Sequence, residues 1–105
     1  MKSFETVWAY MQSNLRADVE IDNWTAYRGK LGDRMRVTGV RDGFIEVDPP
    51  KAINLQVVPK DDFERVWKVW EVYKNQTVKR NELKPVTRFS KYIISILHWY
   101  EENGK

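Results

Sequence analysis

The sequence predicts an α+β fold: an N-terminal helix, a three-stranded antiparallel sheet and three C-terminal helices. Three observations predict it. Apolar residues recur at helical spacing near both ends, the middle of the chain alternates with period two, and Gly or Pro marks most changes between them. A length of 105 residues suits one compact domain, 1–105, with one modest core.

Ser3 stands where a helix N-cap belongs, with Glu5 in the first turn, where the dipole favours negative charge. Phe4, Val7, Trp8, Met11 and Leu15 follow on one helical stripe, so the first helix runs to about Leu15 and can dock on a sheet. Residues 17–33 are less regular. Val19 and Ile21 alternate with Asp18, Glu20 and Asp22, which suits the solvent side of an edge strand near Glu20–Ala26, outside the three counted in the sheet. Gly29 and Gly32 then bracket a turn; their GxxG is too short for a phosphate loop.

From Asp33 the alternation is clear. Met35, Val37 and Gly39 share one face, Arg34, Arg36 and Thr38 the other, and Arg41-Asp42-Gly43 supplies a turn, giving a hairpin over 34–48. Pro49-Pro50 ends the second strand. The third strand, 52–58, places Ile53, Leu55 and Val57 together, and these three are expected to join the core.

The C-terminal helices are expected at 62–74, 78–84 and 88–102. Asp61 stands three residues before Glu64, as in a capping box, and Thr87 is placed to cap the last helix. Phe63, Val66, Trp67, Trp70 and Tyr73 form one stripe, while Val69 and Val72 lie off it. Such a helix is apolar around more than half its circumference and either packs on two sides or offers a binding surface. The last helix carries Tyr92, Ile93, Ile96, Leu97 and Tyr100 on one face and Ile94 and His98 on another.

Composition removes several function classes. There is no cysteine, which excludes disulfides, thiol catalysis and thiolate metal sites. A lone histidine, His98, cannot build a histidine metal cluster, and as a general base it needs a partner from elsewhere in the fold. Asp61, Asp62 and Glu64 are explained by helix capping. No GxSxG occurs and no catalytic residue, metal or cofactor is expected. No apolar run approaches the ~20 residues of a membrane span, and a cytoplasmic location is the default.

Two features remain. Six basic residues between Lys74 and Lys91 face one acid, Glu82, although the whole chain carries only +3. In addition, five Trp, five Tyr and four Phe make the chain rich in aromatics, which fill a core or serve an interface.

The stretch VPKDDFERVWKVWEVYKN…VKRNELKPVTRFSKYIISILHWYEE resembles the C-terminal region of small uncharacterised bacterial proteins, some carried on integron gene cassettes. The resemblance covers about the last 45 residues, rests on general pattern and implies a compact bacterial, cytoplasmic α+β protein with no activity attached.

The resulting expectation is a small non-catalytic interaction protein. It would self-associate as a homo-oligomer, a dimer, through Trp67, Val69, Trp70, Tyr73 and Trp99. The alternative is DNA binding by a helix-turn-helix-like region. There Arg88, Ser90 and Lys91 would face the bases and Lys79, Arg80 and Lys84 the phosphates, with Arg34, Arg36 and Arg41 as a wing-like addition. A further alternative is an aromatic pocket for a small molecule.

Overall fold

The computed structural model describes residues 2–104. The first helix, α1 (Phe4–Asn14), starts as its sequence demands: Ser3 Oγ accepts the Thr6 amide at 3.3 Å. Phe4, Val7, Trp8, Met11 and Leu15 are all buried. Trp8 also donates its indole N–H to the Asp42 carbonyl, tying α1 to a hairpin turn of the sheet.

The sheet has four strands where three were expected, in the order β1 (Glu20–Thr25), β2 (Gly29–Arg41), β3 (Phe44–Asp48), β4 (Gln56–Pro59), all antiparallel. β1 joins because its acids meet cations across the sheet. Arg34 reaches Asp22 at 2.8 Å and Glu20 at 3.5 Å, while Arg36 bridges Asp18 at 3.0 Å and Asp48 at 3.1 Å. Arg34, through its hydrogen bond, holds Asp22 below the usual carboxylate range. Ile21 and Asn23 are buried.

The predicted hairpin is present, with β2 starting earlier, at Gly29. A bulge at Thr38 corrects its facing: Val37 pairs with Val47, but Gly39 then pairs with Glu46 and Val40 with Ile45. Gly39 therefore lies on the outer face, near the Glu46 side chain, and Val40 takes the inward place. β4 is shorter than the predicted 52–58 and of opposite phase. Val58 is fully buried against Ile45, whereas Ile53, Leu55 and Val57 are exposed.

The predicted helix 62–74 is two helices, α2 (Lys60–Lys68) and α3 (Trp70–Lys74), broken at Val69 with φ −114° and ψ 12°. Pro59 occupies the N-cap position and Asp61 makes no cap. The predicted helix 78–84 shrinks to a 3-10 turn, Arg80–Leu83, held by buried Leu83.

The last helix, α4 (Ser90–Asn103), follows Phe89, not a Thr87 cap. Thr87 is occupied elsewhere. Its Oγ1 accepts the Phe89 amide at 3.0 Å and donates to Asp62 Oδ2 at 2.6 Å, and Asp62 also holds Arg65 at 2.8 Å. Thr87→Val should therefore cost about 1–3 kcal/mol, because it strips a buried amide and a mostly buried carboxylate of one partner. Urea unfolding with an unchanged m-value would report that loss.

α4 is the central helix of the fold. Ile93, Ile94, Ser95, Ile96 and Leu97 are all buried, so apolar contacts surround it. It also finishes the sheet. β1 is an edge strand; near its C-terminal end the Trp24 amide is taken by Ser95 Oγ at 3.1 Å, and just past the strand the Ala26 amide is taken by the Tyr73 hydroxyl at 3.1 Å.

Candidate functional site

Of the residues expected at an interface, most belong to the chain's own core. Trp70 and Tyr73 are fully buried and Trp67 almost so; Val69 and Trp99 are partly buried against the same cluster. The break at Val69 explains this. It starts a second helix, α3, so Trp70 and Tyr73 reach the core as fully as Phe63, Val66 and Trp67 do. Of the two residues that made the predicted surplus, Val69 packs partly against the core and Val72 stays exposed at 38%. Trp67 donates to the Lys2 carbonyl, and Trp99 packs on Tyr10 with ring centres 5.9 Å apart. The Trp70 indole nitrogen is buried without a hydrogen-bond partner.

The basic stretch is exposed but not framed as a helix-turn-helix. Its middle element is a 3-10 turn of four residues, and α4 is buried from Ile93 to Leu97. Ser90, expected at a base edge, is itself buried. Arg34 and Arg36 face carboxylates, which removes them as a wing. Lys74 is also neutralised, by Glu101 at 2.7 Å and Glu71 at 3.2 Å. Lys79, Arg80, Lys84, Arg88 and Lys91 are exposed and make no ion pair among the described residues; Arg88 lies over the Phe89 ring at 4.8 Å.

His98 stacks on Trp24 with ring centres 4.1 Å apart and planes 6° from parallel. Burial pushes its imidazole below the ordinary value of 6.5, against the attraction of Glu102, Glu101 and Asp22 and with the help of Lys30. The sign follows from proton binding: the unfolded chain takes up the proton first. His98 thus contributes stability above pH 6.5 that is lost as pH falls through its lower folded value. Trp24 emission should drop over the same range as the imidazolium forms against its ring, and His98→Gln should abolish that step.

What sequence reading missed is a surface. Ile53 is 99% exposed, Leu55 48% and Val57 46%. Val57 lies on β4, and Ile53 and Leu55 lie on the irregular segment that leads into it; among the described residues no strand pairs with the outer side of β4. The chain from Ala52 to Pro59 carries no charge, between Lys51 and Lys60. That uncharged run between prolines was the available signal, since a core strand and a sticky edge look alike in it. Lys60 donates its amide to the Gly43 carbonyl, which fixes the pairing phase and turns the Val57 N–H and C=O out of the sheet.

Among the described residues no group of three or more His, Asp or Glu is placed to hold a metal ion. No helix among them is long and apolar enough to cross a membrane. No family model, curated protein or solved structure matches the chain.

Proposed function

We propose that this chain is a small non-catalytic interaction protein that acts as a homodimer, joined through the β4 margin, in a bacterial cytoplasm. The observation that carries the reading is the exposed row Ile53, Leu55 and Val57 beside an unpaired strand edge. An antiparallel strand edge is complementary to itself about a two-fold axis, so a second copy fits it without a new surface. Charge agrees with that occupant. The run is neutral, and antiparallel pairing sets exposed Lys51 of one copy toward exposed Asp61 of the other. A two-fold pairing of this edge with itself uses the same surface on both copies, so it closes at two copies.

Sedimentation over a range of concentrations tests this. The wild type should show twice the mass of one chain, and Leu55→Lys should shift it to one. A wild type that stays monomeric at high concentration would end the proposal.

Nucleic-acid binding is the second reading, favoured by Lys79, Arg80, Lys84, Arg88 and Lys91, which are exposed and make no ion pair among the described residues. Retardation of duplex DNA at low salt should fall steeply with added salt and weaken in an Arg88→Ala, Lys91→Ala variant. Absence of retardation at low salt removes it.

A further inference from the structure

A second feature lies at the other edge of the sheet. The β1–β2 hairpin turns through Ala26, Tyr27 and Arg28, and Gly29 closes it at φ +69°, a conformation that glycine adopts without strain. Across from it stands the 3-10 turn that starts at Arg80. Between them is an open cleft of about 330 Å³ lined by Thr25, Tyr27, Arg28, Leu31 and Arg80.

Three properties set this cleft apart. Its lining contains two arginines and no acid, and neither guanidinium has an ion-pair partner among the described residues, unlike those of Arg34, Arg36 and Arg65. Its apolar wall is exposed, with Tyr27 at 43% and Leu31 at 40%. Finally, its two sides are bolted together. Tyr27 donates its hydroxyl to the Gln76 carbonyl at 2.8 Å, Gln76 Nε2 donates to the Ala26 carbonyl at 3.0 Å, and the Ala26 amide reaches Tyr73. Gln76 holds φ +67° to do so, an unfavourable conformation for a side-chain-bearing residue. The Tyr27 ring is therefore fixed in place before any ligand arrives, which lowers the ordering cost of binding.

We infer that this cleft binds a small ligand made of a flat aromatic ring and a phosphate, of the nucleoside monophosphate class. A ring finds the Tyr27 face and Leu31, and base–aromatic stacking tolerates any base. A phosphate finds two guanidinium forks without an ion-pair partner among the described residues, the group best matched to it in geometry. The volume is at the lower end of small-molecule sites and suits one nucleotide, not a folded polymer.

An NMR titration of the whole chain with AMP, adenosine and inorganic phosphate tests the inference. AMP should give saturable shifts at the amides of Thr25–Leu31 and at Arg80, and each half-ligand alone should bind at least about tenfold more weakly. Arg28→Gln and Arg80→Gln, both at exposed positions, should each weaken AMP about tenfold while leaving spectral dispersion intact. Saturable shifts that persist unchanged in the double variant would overturn the assignment, as would silence toward AMP. Shifts with a single-stranded oligonucleotide but none with AMP would overturn it in favour of a strand.

Discussion

Val58→Lys should unfold the protein, and Val57→Lys, one position earlier on the same strand, should leave it folded. Val58 is fully buried opposite Ile45 on the core face of β4. A lysine there gives up about 1.5–3 kcal/mol of apolar burial and carries an ammonium into the core. The second cost is several kcal/mol unless the group gives up its proton. Together they consume most of the 5–15 kcal/mol that typically holds a domain folded. Val57 faces outward opposite Glu46, so a lysine there remains solvated and gains a carboxylate across the strands. Thermal unfolding followed by circular dichroism separates the two: no transition for Val58→Lys, a near-native one for Val57→Lys. The same Val57→Lys protein should sediment as a single chain. A folded Val58→Lys protein would show that the phase of β4 is wrong.

Tyr73→Ala should cost about 3–5 kcal/mol and Tyr73→Phe about 1–3 kcal/mol. The larger figure reflects a fully buried ring packed with Trp24 and Trp70, at centre distances of 6.4 and 5.7 Å. The smaller isolates the hydroxyl, whose loss leaves the part-buried Ala26 amide without its acceptor. Denaturant melts of the pair divide ring packing from edge capping. A second signature is alkaline. Burial pushes the Tyr73 hydroxyl above its ordinary value of 10, and Tyr100 moves the same way for the same reason. The unfolded chain thus releases these protons first, so stability present below pH 10 is lost as pH rises through the folded values. Tyr73→Phe should flatten that alkaline loss while lowering stability at neutral pH.

How far the fold could be read from the chain depended on whether a residue's role was local. The α1 stripe and its Ser3 cap were legible because both are set by spacing within one turn. The hairpin at Arg41–Gly43 was legible for the same reason. The membership of β1 in the sheet is not legible locally, because it rests on the cross-strand pairs of Glu20 and Asp22 with Arg34, which no local pattern contains. The phase of β4 was read backwards because Ile53, Leu55 and Val57 are the more apolar set, although Val58 alone meets the core. Thr38 hid a bulge, and Val69 hid a break that divides the expected helix in two. The candidate surfaces suffered most. The interface aromatics went to the core, and the exposed row and the Arg28–Arg80 cleft arose from elements far apart in sequence.

The covering of β1 has a consequence during synthesis. Trp24 waits for Ser95, a partner 71 positions later. A ribosome releases the chain from its N-terminal end, so the four strands emerge well before the helix that closes their first edge. Until α4 appears, the Trp24 amide lacks its cap, and the first edge of the nascent sheet is able to pair with neighbouring chains. A message cut short before Ser90 would leave it in that state, and its product should accumulate as aggregates in place of a shorter soluble protein.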